Sequence, residues 1–300
     1  MPASKEYLPP EAIAAISSME LRAARIVNGY LSGMHRSPYF GQSLEFVQHR
    51  QYVPGDDLRH IDWKVWGRQD RLTIKQYEED TNLRCSLLLD ASSSMDYGRG
   101  PLTKFDYAAT LAACLAYLCL RQQDAVGLSV FDERLRLKLP WRSGRKQAGS
   151  IYESLQKQTR EGRTNIKDVF REVQQALPRR GLVVLLTDFL GSDEQSLRGL
   201  ANLRAAGHDV LVFHVMDDDE LDFPFNDPTR FEDVEGGGHL ACNPRSLREG
   251  YMESLQRFLD AVRRGCGSFA ADYHLVRTSH PIEATLTAFL AARMTHLRKK

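Results

Sequence analysis

From Leu83 onward the chain repeats one pattern: a short aliphatic run, a longer amphipathic stretch, then another aliphatic run. Strands that are apolar throughout must be covered on both faces, and parallel strands need crossover connections long enough to hold a helix. The pattern therefore predicts an α/β domain at 83–300, with helices on both sides of a doubly wound, mostly parallel sheet. Strands are expected at 85–89, 125–131, 182–186, 210–215 and 273–277, and helices at 103–122, 143–158, 165–177, 193–206, 244–265 and 281–297. Residues 135–139 follow a tight Asp-Glu-Arg turn and should form an antiparallel strand at the edge. Between Met216 and Pro244 the chain turns acidic and then glycine-rich, which suits an irregular excursion with a short hairpin.

A small α+β N-terminal module precedes this domain. Within 1–33, Ile13, Ile16, Met19, Leu21, Ile26 and Leu31 recur loosely at helical spacing, so a helical arm is expected. Residues 34–82 are rich in Gly, Pro and paired charge, with strand-like alternation at 44–52 and 72–77 on either side of the turn Pro54-Gly55-Asp56-Asp57. We read 34–82 as a β-containing clasp that packs on the main domain, because so short a stretch with few large aliphatics buries little surface alone.

At 300 residues, 42% of them hydrophobic, one sizeable core is expected. Forty basic residues against 39 acidic ones leave a formal charge of +1, which argues against nucleic acid as a partner. The start, MPASKEYLPPEAIAA, lacks the apolar core of a secretory signal. The most apolar stretch, Ala108 to Leu120, is well short of the roughly 20 residues that cross a bilayer. Cysteines at 85, 114, 119, 242 and 266 are odd in number and form no Cys-x-x-Cys pair, which fits reduced thiols in the cytoplasm and argues against structural zinc.

Candidate chemistry lies where the apolar runs end. Open α/β sheets place ligands at the carboxyl ends of their strands, and there the run CSLLL is followed by DASSSM. Alternate residues of a tight loop turn the same way, so Asp90, Ser92 and Ser94 can offer one carboxylate and two hydroxyls to a single point. Such oxygens suit a hard divalent cation, and magnesium asks for about six of them, so other strands must contribute. Asp188 ends LVVLLTD and Thr164 stands in GRTNI ahead of a helix, each placed to reach the same crevice. Two carboxylates would no more than neutralise the ion, leaving it electrophilic towards one further carboxylate from another molecule. The same residues also fit a plainer role, with Asp90 and Asp188 as helix caps and Ser92 to Ser94 as a small-residue loop.

The order DASSSM, GRTN, LLTD resembles the metal-ion-dependent adhesion site of von Willebrand factor A domains. That resemblance implies Asp90, Ser92, Ser94, Thr164 and Asp188 as ligands of one magnesium ion, or another divalent cation such as manganese, at the carboxyl edge of a sheet with Rossmann-like topology. The preceding stretch, FGQSLEFVQHRQYVPGDDLRHIDWKVWGRQDRLTIKQYEED, is similar to the bacterial "domain of unknown function fifty-eight" proteins. The likeness runs from about residue 30 to the end and is most specific at Arg50, Tyr52, Gly55, Asp56, Arg59, Asp62, Trp63 and Arg68. It implies a MoxR-type AAA+ ATPase as partner, since members of that family are typically encoded beside one. Read from its residues alone, the stretch is a clasp in which Gly55 permits the turn, Asp56, Asp57, Arg59 and Asp62 pair locally, and Trp63 and Trp66 anchor it. Alternatively, Arg59 and Arg68 face a partner's acidic groups or a phosphate.

Other features carry less. Asp217 to Glu220 could hold a second cation, but a run of like charges in a loop is usually solvated. Gly236 to Gly238 lacks the Gly-x-x-x-x-Gly-Lys pattern of a phosphate loop and reads as a flexible turn. His214, inside VLVFHVM, reads as a hydrogen-bonded core residue, and Cys114 and Cys119 as small buried apolar groups.

Two functions compete for the crevice. A non-catalytic, metal-dependent interaction module, an adaptor or co-chaperone subunit of the ATPase, would use the ion to contact an Asp or Glu of the ATPase or of a client. A magnesium-dependent phosphohydrolase or phosphotransferase would need a nucleophile or base beside the ion. No histidine or lysine lies next to DASSSM or GRTN, and Ser92 stands where a phosphate-accepting Asp90 would be followed by a second carboxylate. Dinucleotide binding fails because no Gly-x-Gly-x-x-Gly follows the first strand. The first function is expected, with no catalysis and no membrane span.

Overall fold

Two serines divide the N-terminal arm. Helix α1 (Pro10–Ala14) stops ahead of Ser17 and Ser18, and α2 (Met19–Met34) restarts beyond them, with the Leu21 amide donating to Ser18 Oγ at 3.4 Å. Serine favours such a position because its hydroxyl satisfies an orphan amide of the first turn. The expected single arm is thus two helices, which bury Ile13, Ala23, Ile26 and Val27.

The computed structural model describes residues 10–34, 49–51, 73–75, 83–160, 162, 169–173, 177, 180–191, 194–233, 238–287 and 290. The chain divides into two units: Met1–Leu31 with Leu83–Lys300, and Ser32–Asn82. The arm therefore belongs to the main unit, where Arg22 Nη1 donates to Thr110 Oγ1 at 3.0 Å. In the second unit β1 (His49–Gln51) pairs antiparallel with β2 (Thr73–Lys75), Arg50 opposite Ile74. Both lie inside the stretches read as strands. Tyr52, Gly55, Asp56, Asp57, Arg59, Asp62, Trp63, Trp66 and Arg68 lie outside the described residues.

Beyond Leu83 the elements follow as β3 (Arg84–Asp90), α3 (Lys104–Arg121), β4 (Ala125–Phe131), β5 (Leu135–Arg142), α4 (Arg145–Gln156), β6 (Leu182–Thr187) and α5 (Glu194–Ala205). Then come β7 (Asp209–Met216), α6 (Asp218–Asp222), β8 (Thr229–Glu232), β9 (His239–Cys242), α7 (Pro244–Ser268) and β10 (Asp272–Arg277). Residues 169–173 and 282–287 are also helical. The excursion after Met216 is more regular than expected: it holds α6 and an antiparallel β8–β9 hairpin.

Six strands form one sheet in the order β10-β7-β6-β3-β4-β5, parallel except for β4 with β5. This is the doubly wound, von Willebrand factor A-like α/β sheet that the resemblance implied, and its chain order reverses between β3 and β6. Those two strands are buried throughout apart from Arg84, as continuous apolar runs should be. On one face Leu88, Val183, Leu185, Val212, Leu200, Leu203 and Val262 share a core cluster. Alanines at 108, 109, 112, 113 and 116 are all buried along α3.

The edge strand β5 runs on to Arg142, past a register shift against β4 between Val126 and Leu128. Pro140, which has no amide hydrogen, falls at this irregularity, a position proline tolerates. Buried Gln147 answers it by donating from Nε2 to the carbonyls of Val126 at 2.8 Å and Pro140 at 2.9 Å. Opposite, Trp141 lies across Gly127, where an added Cβ would sit 2.9 Å from the indole nitrogen, and that nitrogen donates to Ser86 Oγ at 2.8 Å. No helix among the described residues is long and apolar enough to cross a membrane.

Candidate metal centre

Where chain order reverses in an open α/β sheet, neighbouring loops leave in opposite directions and ligands are received between them. Here that point lies between β3 and β6, and the pairing of Leu89 with Leu186 brings Asp90 level with Thr187, one residue before Asp188. Beyond Asp90 the chain enters a short 3-10 turn, Ser93–Asp96. The turn is pinned by the Ser92 amide donating to Asp90 Oδ1 at 3.0 Å, while Ser92 Oγ and Ser94 Oγ approach to 3.1 Å.

Four of the five residues read as ligands therefore meet: Asp90, Ser92, Ser94 and Asp188. All four are buried, none more than 1% exposed, so they line the floor of the sheet end and not its open surface. Thr164 lies outside the described residues. Two positions before it in sequence, Gly162 accepts the Ser93 amide at 2.9 Å and adopts φ +77, left-handed backbone that glycine enters without a steric cost.

Three further residues, not singled out as part of this site in the sequence, complete its surroundings. Thr187 Oγ1 donates to Asp90 Oδ2 at 2.6 Å and accepts the Phe189 amide at 3.1 Å. Lys104, in the first turn of α3, donates from Nζ to Asp188 Oδ2 at 2.8 Å and to Glu220 Oε1 at 2.6 Å, and is 1% exposed. A lysine is thus beside the site in space although none is beside it in sequence. Glu220 corrects a second expectation, because Asp217 to Glu220 is not a solvated charge run. Asp217 and Asp219 are buried; Asp217 caps α6 and accepts Thr278 Oγ1 at 2.7 Å, while Glu220 Oε2 returns to the Asp217 amide at 2.8 Å.

His214 sits behind Asp188 as the core residue expected. Its Nε2 lies 2.9 Å from the Asp188 carbonyl and its Nδ1 2.8 Å from the Tyr273 hydroxyl, with Phe189 and Phe258 edge-on to the ring. A carbonyl only accepts, so Nε2 carries the proton and Nδ1 accepts from the tyrosine.

Charge follows from this packing. Burial and the neighbouring Asp188 push the Asp90 carboxyl up to about 7, against the opposing bonds from Thr187 and Ser92. Burial would raise Asp188 too, but the Lys104 ammonium, with the Leu190 amide and Ser94, holds it below the usual carboxylate range. Burial would lower Lys104, yet Asp188 and Glu220 outweigh that and keep it firmly protonated. Glu220 is raised, burial prevailing over Lys104. For His214 burial again dominates, bringing it down to about 4 and leaving it neutral at neutral pH.

Carboxylate and hydroxyl oxygens on adjoining loops are the hard donors a divalent cation of the magnesium type takes. A group of three His, Cys, Asp or Glu side chains suited to a metal is absent among the described residues. An ion here would rest on two carboxylates and the hydroxyls around them, the donor set read from the sequence. Lys104 alters the charge count, since one of the two carboxylates is already paired.

The family described as "Protein of unknown function DUF58" matches residues 48–258. Uncharacterized proteins of Mycobacterium tuberculosis and Mycobacterium bovis are each 28% identical over 294 residues, 95% of this chain and 90% of theirs. Among solved structures, the conserved hypothetical protein BatB from Bacteroides thetaiotaomicron is 16% identical with a TM-score of 0.47, over 73% of this chain and 100% of that one. The SpRpn10 VWA domain is 13% identical with a TM-score of 0.41, over 68% and 93%.

Proposed function

The chain belongs to the DUF58 family, whose description assigns no function, and we propose that it is a non-catalytic interaction module that grips a partner's Asp or Glu through one divalent cation. Magnesium, or manganese in its place, would be held by Asp90, Ser92, Ser94, Asp188 and Thr164. The observation that carries this reading is the meeting of two buried carboxylates and two serine hydroxyls at the carboxyl ends of β3 and β6. Bound there, the ion supplies a positive contact point for an incoming carboxylate. The chain's own residues fix the geometry: Thr187 and the Ser92 amide hold Asp90, while Lys104 and the Leu190 amide hold Asp188.

The same packing weighs against a phosphohydrolase or phosphotransferase. A general base must have a free lone pair within reach of the reacting group. Lys104 is an ammonium held by two carboxylates, and both nitrogens of His214 are engaged within the core. We further propose a role as adaptor or co-chaperone subunit of a MoxR-type AAA+ ATPase, which rests on the family resemblance. A cytoplasmic location is supported by five cysteines of which none is in a disulfide.

The test is binding of the purified chain to the purified MoxR-type ATPase of its own organism, in magnesium, in chelator, and after magnesium is restored. Binding lost on chelation and regained with magnesium supports the reading. Binding that survives chelation unchanged overturns the metal's part in it.

A further inference from the structure

Lys104 is an unusual place for a positive charge. It is buried, and it lies in the first turn of α3, where the helix dipole disfavours a cation and the Thr103 hydroxyl already caps the helix through the Asp106 amide. Burying the charge and placing it at the positive end of the helix both cost stability, so something at the site must offset them. The offsetting contacts are Asp188 Oδ2 at 2.8 Å and Glu220 Oε1 at 2.6 Å.

Without Lys104 the carboxylates of Asp90, Asp188 and Glu220 would gather in the interior with no cation among the described residues bonded to Asp188. A divalent ion on Asp188 would meet Lys104 at short range in a medium that screens poorly, where like charges repel strongly. The ammonium and the ion therefore compete for one carboxylate. Glu220 gives the ammonium a second anchor when the ion gains Asp188.

We infer that Lys104 is a resident counter-cation that takes the divalent ion's place at Asp188, keeping the metal-free site folded and the ion weakly bound until a partner's carboxylate joins it. The inference rests on the metal-dependent reading above and assigns the affinity of that site to a residue outside its ligand set.

Calorimetric titration of magnesium and of manganese into the full chain, with no partner present, tests it on four proteins: wild type, Asp90→Asn, Lys104→Met, and the double variant Lys104→Met with Glu220→Gln. The double variant leaves the net charge unchanged and removes the buried charge of Glu220 together with that of Lys104, so that Asp188 alone loses its cationic partner and the fold is less burdened than in the single variant. Both variants lacking Lys104 are expected to bind the ions about tenfold more tightly or better than wild type. Their melting temperatures are expected to fall in chelator and to rise on adding magnesium by more than that of wild type. If the double variant binds no more tightly than a wild type whose binding needs Asp90, Lys104 is not the competitor, although the metal site stands. If no variant shows binding that depends on Asp90, the metal reading fails and the inference fails with it.

Discussion

Thr187 Oγ1 and Asp90 Oδ2 are joined across adjacent strands by a 2.6 Å hydrogen bond, and the same hydroxyl accepts the Phe189 amide, so its proton is committed to the carboxylate. Thr187→Val keeps the shape and deletes both bonds, stranding a buried amide and a carboxylate oxygen. A loss of about 1–3 kcal/mol in urea unfolding is expected, together with weaker magnesium binding, because Asp90 then holds its proton more tightly. Thr187→Ser should retain most of both properties. Equal stability of Thr187→Val and wild type would show that the bond contributes nothing.

Asp90 is fully buried, so truncation to alanine would open a void and confuse chemistry with packing. Asp90→Asn avoids this. The carboxyl is raised to about 7 in the folded chain, above its unfolded value, so its ionisation costs stability as pH climbs and the cost is complete above the folded value. In chelator the variant should melt a few degrees higher than wild type near pH 8, with the advantage shrinking towards pH 4. Metal and partner binding should be lost at both. Retained partner affinity in this folded variant would remove the crevice from the binding site.

The opposite sign belongs to His214. Its folded value, about 4, lies below the ordinary 6.5, so the unfolded chain binds a proton that the native core refuses. Its contribution is fully present above about pH 6.5 and declines as pH falls towards 4, by on the order of 3 kcal/mol over that window. His214→Gln should flatten this slope, and comparison with wild type cancels the contribution of Asp90. Parallel pH profiles of the urea midpoint for the two proteins would contradict the assignment.

Gln147 offers a test remote from the site. Its amide satisfies the carbonyls of Val126 and Pro140 where β5 slips against β4. Gln147→Leu is of similar size but donates nothing, and should cost about 1–3 kcal/mol in chemical denaturation while leaving metal titration unchanged. A stability within error of wild type would mean that the bulge carbonyls find other donors.

Aspartate and serine at strand ends were readable because the apolar runs before them announce buried strands, and a buried strand can only deliver its last residue to the sheet's end. Asp90, Ser92, Ser94 and Asp188 follow from that logic. Lys104 does not, since fourteen positions separate it from Asp90 and only the path of the chain between β3 and the start of α3 brings it to Asp188. One hint was present, a lysine immediately after the capping Thr103, where the helix dipole disfavours it. Glu220 was hidden differently. The spacing of Asp217 and Glu220 is that of a capping box, which signals a helix start, but the surrounding acidic residues made it look like solvated loop. The break of the N-terminal arm was likewise written in Ser17 and Ser18, whose side chains compete with helix continuation.

Strand β5 closes one side of the sheet with exposed Lys138 and Arg142 flanking exposed Pro140. An open strand edge is a template on which a foreign chain can extend the hydrogen-bonded ladder, and positive charge together with a residue lacking an amide hydrogen denies it that template. The molecule is thereby shielded along this margin from the indiscriminate, register-driven adhesion that leads to fibrils. Under the proposed reading, attachment is left to the loops at the strand ends, where it would be undone by removing a single ion.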